Sequence, residues 1–353
     1  LARVMLADVF FKAAILRRDL LSWVTHLCLF WGFAGIVVMH ALGRYTTAAL
    51  FSDYYPTLNP YLFLRNCFGV LVILGVAMAL CRRCRRKSPR PGSNPADHYA
   101  LGILAVILLS GFLLEASKIS STSTFDDMVQ AYTVQADSDE IHALEAYWVR
   151  ELGLVSERVQ EPIDSNVLAQ GKSAHELQCL QCHASLRWAF GSHALARVSG
   201  GLAPSLGGPS MRSALWILHF YACLLGLATL PFSKMFHMVA SPLSLLANAV
   251  MNRETSHPAN IASRQVMELD ACTHCGACSE RCLMAPALEI IPNLNILPSE
   301  KIVSLKPLVA GKTPTLSQVR VIQEGLHLCT NCGRCTEVCP VGINLAELWV
   351  NVR

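Results

Sequence analysis

One stretch decides the fold of the carboxyl-terminal part of the chain: Cys272-Thr-His-Cys275-Gly-Ala-Cys278-Ser-Glu-Arg-Cys282. The same spacing returns in a second run, Cys329-Thr-Asn-Cys332-Gly-Arg-Cys335-Thr-Glu-Val-Cys339. Together the two runs hold eight of the 15 cysteines in the chain. Such uneven clustering is unlike a disulfide scaffold and is typical of metal binding. The sequence therefore predicts a metal-binding domain at this end.

The period of the two runs favours a pair of 4Fe-4S clusters. The spacing C-x2-C-x2-C-x3-C is that of bacterial ferredoxins, in which the fourth cysteine of each run ligates the other cluster. The expected ligand sets are Cys272, Cys275, Cys278 and Cys339 for one cluster, and Cys329, Cys332, Cys335 and Cys282 for the other. Structural zinc, which uses paired C-x2-C elements, is the alternative. The first run departs from the ferredoxin pattern in one respect. In that pattern a proline follows the fourth cysteine, as Pro340 follows Cys339, but no proline follows Cys282 directly.

The rest of the chain has the composition of a membrane protein. Of its 353 residues, 53% are apolar and 15% are charged, which excludes a purely soluble protein. Four segments are apolar over the length of about 20 residues that a bilayer requires. They are 20–43, 61–81, 99–118 and 213–235. Nucleic acid is not an expected partner, because the basic residues stand beside these spans.

Basic residues predict how the spans are oriented. Lys12, Arg17 and Arg18 precede the first span, and six basic residues lie between Arg82 and Arg90 in the second link. The positive-inside rule places both segments in the cytoplasm. The loop 119–212, with eleven Asp and Glu against six Lys and Arg, is then periplasmic. We predict a multi-pass protein in the lipid of a prokaryotic cytoplasmic membrane, with a cytoplasmic iron–sulfur domain.

Four histidines of the first and fourth spans are candidate haem ligands. His26 and His40 are separated by about 21 Å along a helix and lie nearly on one face. His219 and His237 are about five turns apart and would share a face of the fourth span. Because the two helices run in opposite directions, His40 meets His219 near the outer surface, and His26 meets His237 near the inner surface. This predicts two bis-histidine b haems, with helix capping or hydrogen bonding as the alternative.

Other residues of the spans fit a haem or quinol site. Gly32, Gly35 and Gly226 could let a porphyrin approach the backbone, although glycine is common in spans. Arg44 and Arg65 could pair with haem propionates at the outer end, with interfacial snorkelling as the alternative. Glu115 and Lys118 could hydrogen-bond a quinol such as menaquinol at the outer face, with a solvated helix end as the alternative.

The predicted outer loop contains Cys179-Leu-Gln-Cys182-His183, a C-x-x-C-H motif. Two thioether bonds would attach a c-type haem, and His183 would be its proximal ligand. Such attachment occurs outside the cytoplasm, in agreement with the predicted topology. A disulfide or a chance match is the alternative. We favour His193 as the distal ligand; further candidates are His175, His142 and Met211.

The histidine-bearing spans resemble a known membrane family. With the run Pro231-Phe232-Ser233-Lys234, they are similar over residues 1–240 to the gamma subunit of respiratory nitrate reductase. Its relatives include the membrane cytochromes b of heterodisulfide reductase and of sulfate-reducer electron-transfer complexes. Residues 260–345 resemble the iron–sulfur modules of heterodisulfide reductase C- and D-type subunits. The resemblance implies a dihaem cytochrome b fused to a module with two 4Fe-4S clusters.

The predicted fold class is an all-α membrane helical bundle with a small α-rich, ferredoxin-like dicluster domain. Residues 1–118 would be the first part of the membrane cytochrome b, and residues 119–212 the extracytoplasmic loop with the c-type haem motif. Residues 213–251 would be the last haem-bearing transmembrane helix and its exit. Residues 252–353 would form the cytoplasmic domain with two 4Fe-4S clusters.

These features predict an electron-transfer subunit of a membrane oxidoreductase complex. Its cofactors would be two haem b, one haem c and two 4Fe-4S clusters, with menaquinone as a further candidate. Its partners would be a periplasmic cytochrome c or menaquinol and a catalytic iron–sulfur subunit of the heterodisulfide reductase type. The catalytic centre is expected on that partner, because this chain shows no phosphate loop or flavin fingerprint. The alternatives are a quinone oxidoreductase subunit and a redox-sensing or scaffold subunit.

Overall fold

The computed structural model describes residues 1–52, 54–85, 95–133, 137–199, 209–252 and 254–353. Within these ranges the regular structure is helical and contains no strand. The helices of eight or more residues are α1 (Leu20–Ile36), α2 (Tyr61–Arg85), α3 (Pro95–Ile119), α4 (Thr122–Tyr132), α5 (Ser138–Tyr147), α6 (Ser165–Gln178), α7 (Phe190–Ser199), α8 (Pro209–Thr229), α9 (His237–Val250), α10 (Pro258–Ala271), α11 (Pro298–Val309), α12 (Leu316–His327) and α13 (Leu345–Val352). Three basic residues of the second link lie outside the described residues: Arg86, Lys87 and Arg90.

Shorter helical segments connect these elements. The α-helical ones are Ala2–Val4, Ala13–Leu16, Thr47–Leu50, Ala277–Glu280 and Arg334–Glu337. The π-helical ones are Met5–Phe10, Val37–Ala41 and Trp148–Leu152. The 3-10 turns are Leu186–Trp188, Leu230–Phe232, Lys234–Phe236, Ala285–Glu289 and Leu294–Ile296. Short helical pieces of this kind are typical of the connections between longer helices.

Four helical segments of the described chain are long and apolar enough to cross a membrane. They are Leu20–Ala41, Tyr61–Cys84, Pro95–Ile119 and Ser210–Phe232, and each overlaps a predicted span. The first segment continues from α1 into the π-helical turn Val37–Ala41, which carries His40. A π turn changes the direction in which the following side chains project, and such turns are frequent at functional sites.

The fourth apolar helix ends earlier than predicted. Helix α8 stops at Thr229, and two 3-10 turns follow before His237 begins the separate helix α9. Pro231 lies in the first of these turns and has no backbone N–H with which to continue the helix. The prediction that His219 and His237 lie on one continuous helix is therefore wrong.

The described chain forms two compact units. We call one the loop unit, because it contains the predicted outer loop; it comprises Cys28–Leu80 and Leu101–Leu227. We call the other the cluster unit, because it contains both cysteine runs; it comprises Leu1–Leu27, Cys81–Ala100 and Ala228–Arg353. The pair His40 and His219 belongs to the loop unit, and the pair His26 and His237 belongs to the cluster unit.

Glycines allow close helix packing in the loop unit. A Cβ atom at Gly32 would lie 2.7 Å from Val72 Cγ2, and one at Gly226 would lie 3.2 Å from Ile107 Cδ1. A Cβ atom at Gly35 would overlap the ring of Phe68, which belongs to α2. The space beside these glycines is filled by neighbouring helices, so they support helix–helix contact and do not open room for a porphyrin.

The predicted outer loop is itself a small helical fold. Helices α4, α5 and α6 each begin at a side chain that accepts a backbone N–H bond, as N-cap residues do. These caps are Ser121, Asp137 and Asp164. An apolar core joins the helices, and its buried members include Phe125, Leu144, Trp148, Ala174 and Cys179. The motif-bearing segment therefore packs onto a folded support.

The cluster unit has its own core around the cysteine runs. Its buried residues include Leu269, Ile302, Leu326, Ile343 and Trp349. A buried ion pair ties α10 to α13, with Arg264 Nη2 2.6 Å from Glu347 Oε2. Removing one partner of such a buried pair costs about 3–5 kcal/mol, because the other charge is left without compensation. This pair fixes the segments that flank the two runs.

Candidate functional site

The four predicted haem-ligating histidines meet in two pairs. The ring centroids of His26 and His237 are 6.4 Å apart in the cluster unit. Those of His40 and His219 are 6.3 Å apart in the loop unit. Two imidazoles that share one metal, with bonds of about 2 Å, place their ring centroids about 6 Å apart. Both pairs have the separation that a bis-histidine metal site requires.

Hydrogen bonds orient His219. Its Nδ1–H donates to the Ile107 carbonyl over 3.1 Å, and Nδ1 lies 3.2 Å from Ser110 Oγ. This bond leaves Nε2 as the unprotonated nitrogen, which lies 3.7 Å from the Cys223 sulfur. A Cβ atom at Gly111 would lie 3.1 Å from the His219 ring, so this glycine makes room for it. Metal-ligating histidines are commonly held by a carbonyl in this way.

The other pair has a similar arrangement. His237 Nδ1–H donates to the Lys234 carbonyl over 2.5 Å, which again leaves Nε2 free of a proton. His26 Nδ1 is buried and has no hydrogen-bond partner among the described residues. The ammonium of Lys12 lies close enough to both rings for an electrostatic interaction. Burial lowers the pKa of Lys12 to about 8. The ring spacing and the donor set fit a haem at both pairs.

Arg65 and Glu115 hold each other in the loop unit. Arg65 Nη2 donates to Glu115 Oε1 over 2.5 Å. The other carboxylate oxygen accepts from Asn66 Nδ2 over 3.1 Å and from Ser192 Oγ over 2.6 Å. The Glu115 carboxylate is therefore bound by protein side chains and is not solvated at a helix end. The Arg65 guanidinium is bound to this carboxylate. This polar network also carries charge close to His40.

The C-x-x-C-H motif begins at the carboxyl end of α6. The Cys179 N–H donates to the His175 carbonyl over 2.9 Å, and its thiol packs in the apolar core with 7% exposure. Burial raises the pKa of this thiol. Cys179 and Cys182 are not joined by a disulfide. The Thr57 hydroxyl donates to the Cys182 carbonyl, which anchors the turn.

Buried nitrogens without partners surround His183. The Trp148 ring centroid is 5.2 Å from that of His183 and 5.9 Å from that of His175. His175 Nδ1, His183 Nδ1 and Trp148 Nε1 are buried with no hydrogen-bond partner in the described chain. Burial lowers the pKa of both histidines, which keeps them neutral, as metal ligation requires. The donor set fits a haem attached at the motif.

His193, the favoured distal ligand, donates its Nε2–H to the Gly153 carbonyl over 3.0 Å, which leaves Nδ1 as the unprotonated nitrogen. His175 is a second candidate, because its ring lies against Trp148, as the ring of His183 does, and its Nδ1 has no hydrogen-bond partner among the described residues.

The eight cysteines of the two runs line two cavities, and each cavity takes residues from both runs. One cavity, of about 330 Å³ with part open to solvent, is lined by Cys272, Cys275, Cys278 and Cys339. The other, of about 360 Å³, is lined by Cys282, Cys329, Cys332 and Cys335. These are the two ligand sets expected from the spacing. Among the described residues, no three His, Cys, Asp or Glu side chains converge on a point that could hold one metal ion.

The two runs adopt the same backbone conformation. Gly276 and Gly333 have φ of +77° and +79° and begin short helices. The residue two places earlier also has positive φ, with His274 at +54° and Asn331 at +51°. Left-handed positions of this kind turn backbone N–H groups inward and favour glycine. Burial raises the pKa of the Cys339 thiol to about 12, while the N–H groups of nearby residues lower it.

A family model of 4Fe-4S dicluster domains matches residues 268–343. The match contains all eight cysteines of the two runs. It supports iron–sulfur clusters in this segment, which we call the dicluster segment.

Curated relatives connect the chain to redox complexes. It is 36% identical to the D-type subunit of the dihydromethanophenazine:CoB–CoM heterodisulfide reductase of Methanosarcina acetivorans, over 27% of this chain and 25% of that subunit. It is 29% identical to the E-type subunit of that enzyme in Methanosarcina barkeri, over 32% of this chain and 45% of that subunit. It is 21% identical to the EtfAB:quinone oxidoreductase of Syntrophomonas wolfei, over 98% of this chain and 47% of that protein. The chain thus spans less than half of each relative. No solved structure matches it.

The relatives are oxidoreductases or their subunits, which agrees with the predicted electron-transfer role in an oxidoreductase complex. The four apolar helices of the described residues support a membrane protein.

Some residues of the site were missed by sequence reasoning. In the dicluster segment, Lys301 is 1% exposed, and its ammonium lies 5.2 Å from the centroid of the Trp349 ring. The same lysine makes a hydrogen bond with Cys329 at the second cavity. Gly111 beside His219 was likewise missed. Lys301 lies four residues from both Leu297 and Leu305, and apolar residues at this spacing share a helix face, which could have marked it as a buried lysine needing a partner.

Proposed function

We propose that this chain is the electron-transfer subunit of a membrane redox complex, passing electrons between the periplasmic side and an iron–sulfur partner in the cytoplasm. The observation that carries the proposal is the meeting of four separated histidines in two pairs, 6.4 Å and 6.3 Å between ring centroids. A purely structural role for these histidines gives no reason for two pairs with the same metal-compatible spacing.

The residues that would hold each group follow from the site. His26 and His237 would ligate an inner b haem, and His40 and His219 an outer one. The two cysteine cavities would each hold a 4Fe-4S cluster, and Cys179, Cys182 and His183 would hold a c-type haem. When bound, these groups supply one-electron transfer at potentials set by their ligands and surroundings.

The chain's own residues orient the ligands and exclude water. The carbonyls of Ile107 and Lys234 fix the ring orientation of His219 and His237 and make Nε2 the better electron donor to a metal. Apolar residues of the dicluster segment pack against five half-buried cysteines of the two runs, which are Cys272, Cys278, Cys329, Cys335 and Cys339. Lys301 brings positive charge to one cavity. Positive charge near a cluster raises its reduction potential.

The proposed partners follow from the chemistry and from the relatives. Donors or acceptors outside would be a periplasmic cytochrome c or menaquinol, and the partner inside would be a catalytic subunit of the heterodisulfide reductase type. Similarity to the D-type and E-type subunits of that enzyme supports the inner partner. The basic residues Lys12, Arg17 and Arg18 support the proposed orientation, with the dicluster segment in the cytoplasm.

A second candidate function is quinone oxidoreduction with the quinone site as the main substrate site. The observation that favours it is the likeness of 98% of the chain to part of the EtfAB:quinone oxidoreductase. Reduction of the b haems by menadiol that is fast and independent of the C-x-x-C-H motif would favour this candidate.

The alkaline pyridine haemochrome spectrum of the purified, detergent-solubilised chain tests the proposal. We expect b and c bands in a ratio of about two to one. In Cys179→Ala/Cys182→Ala the protein should lose the haem stain that survives denaturing electrophoresis, because both thioether bonds are removed. Cys81→Ala, which changes a cysteine outside the motif, is the control and should keep the stain. Persistent covalent haem in Cys179→Ala/Cys182→Ala would refute the c-type assignment, and absence of b bands in the wild type would refute the proposed function.

The distal ligand can be identified separately. We expect His175→Met to change the low-spin EPR signal of the c-type haem, because the second axial ligand changes from imidazole to thioether. His193→Ala should leave that signal as in the wild type, since we propose that His175, whose ring lies against Trp148 as that of His183 does, is the second ligand. The opposite pattern would return the assignment to His193.

A further inference from the structure

Lys234 links the turn before His237 to the first cysteine run. Its carbonyl accepts the Nδ1–H bond of His237 over 2.5 Å. Its ammonium donates to the Thr273 carbonyl over 3.0 Å, and Thr273 follows Cys272 directly. Asp97 forms an ion pair with the same ammonium, so the side chain is held from two sides. One residue therefore connects a predicted haem ligand with a predicted cluster ligand.

Helix α9 extends this connection. It begins at His237 and then contacts both segments that carry the Cys272 and Cys339 ligands. Ser244 Oγ donates to the Val341 carbonyl over 3.2 Å, and Asn248 Nδ2 donates to the Gly342 carbonyl over 2.9 Å. Ser241 Oγ lies 3.5 Å from the Ala271 oxygen. The helix that starts with the histidine is thus attached along its length to the walls of one cavity.

Helix α9 contacts the backbone next to Cys272 and Cys339, which borders the cavity lined by Cys272, Cys275, Cys278 and Cys339. A Cβ atom at Gly342 would lie 2.7 Å from Leu245 Cδ2, so the backbone after Cys339 presses directly against α9. Such close packing leaves little freedom for the histidine and the cavity to move independently. All of these residues belong to the cluster unit.

We propose that Lys234 is a positioning residue that fixes the His26–His237 pair beside the cavity of Cys272, Cys275, Cys278 and Cys339. This cavity, and not that of Cys329, is then the one that exchanges electrons with the inner histidine pair. The inference rests on the proposed function and adds to it the order of the two cluster sites. Each exchange moves one electron and makes or breaks no bond.

The test compares Lys234→Gln with a matched lysine variant, Lys306→Gln. Lys306 also reaches the first cysteine run, with Nζ 3.4 Å from the Cys272 carbonyl, but it is not part of the His237 turn. Reduced benzyl viologen is mixed with the oxidised, detergent-solubilised chain, and b-type haem reduction is followed by absorbance. We expect Lys234→Gln to slow this reduction about tenfold, because rates fall steeply when held groups lose their geometry.

Two further readouts separate positioning from loss of packing. Lys234→Arg keeps a donor for the Thr273 carbonyl and should restore most of the rate. The EPR g values of a ferric bis-histidine haem depend on ring orientation, so one of the two b-haem signals should shift in Lys234→Gln and stay unchanged in Lys306→Gln. Equal rates and equal spectra in the two glutamine variants would overturn the inference.

Two cysteine variants test the order of sites without changing Lys234. We expect Cys275→Ser to reduce viologen-driven haem reduction to the level of the Cys275→Ser/Cys332→Ser double variant. Cys332→Ser should keep it well above that level. Equal or reversed effects would contradict the order of sites, even if Lys234→Gln fails to fold. A wild-type chain that binds no b-type haem would instead contradict the proposed function.

Discussion

Replacing His40 or His219 with alanine is expected to remove one of two b haems. The two rings lie 6.3 Å apart between centroids, so either substitution deletes one axial ligand of the same predicted site. The haemochrome spectrum should show b-type haem reduced by about half relative to the iron of the clusters. Transfer between the periplasmic and cytoplasmic sides should stop, while the 4Fe-4S signals remain.

His98→Ala is the matched control for these variants. His98 lies on α3, another apolar helix, and is not one of the four paired histidines. We expect this variant to keep both b haems. If His40→Ala or His219→Ala also keeps both, the pairing of these two histidines is wrong. A double variant should lose no more haem than either single variant, because the two residues act on one site.

Paired cysteine substitutions are expected to separate the two clusters. In Cys275→Ser/Cys339→Ser both changes fall in one cavity, so about four of eight irons should remain. In Cys332→Ser/Cys339→Ser the changes fall in different cavities, so both clusters should be damaged and most iron lost. Iron analysis and EPR of the reduced protein measure the difference.

Clusters confined to single runs would give the reverse result. In that case Cys332→Ser/Cys339→Ser would keep half of the iron, and Cys275→Ser/Cys339→Ser would lose most of it. Cys28→Ser, far from both runs in sequence, is the control for general effects of losing a cysteine. Zinc in the purified chain, with no iron, would contradict the iron–sulfur assignment itself.

The sequence predicted which candidate ligands come together better than it predicted the residues that hold them in place. Cysteine spacing carries its own geometry, because a ligand run of fixed length can close around a cluster in few ways. The pairing of His40 with His219 followed from the opposite directions of two spans and the depth of each histidine, whereas His237 meets His26 from a separate helix. These inferences depend on residue spacing and on the order of the helices along the chain. The structure brings the predicted cysteine sets and histidine pairs together.

Contacts between residues that are distant in sequence could not be predicted from local sequence patterns. The Glu115–Arg65 pair joins side chains fifty residues apart, and no local pattern links them. The break after Thr229 could have been found, since Pro231 removes a helix hydrogen bond. The bond of His193 to the Gly153 carbonyl, which lies forty residues away along the chain, could likewise not be read from a local pattern.

The sharing of each cavity between both cysteine runs has a consequence for biosynthesis. Neither cavity has its fourth cysteine until the ribosome has made both runs and the intervening 46 residues have folded back. Cluster insertion must therefore follow translation of Cys335 at one cavity and of Cys339 at the other, and metal loading and folding become one event. A nascent chain stalled between the runs would expose thiols to oxidants, so scaffold proteins that deliver iron–sulfur clusters would act late.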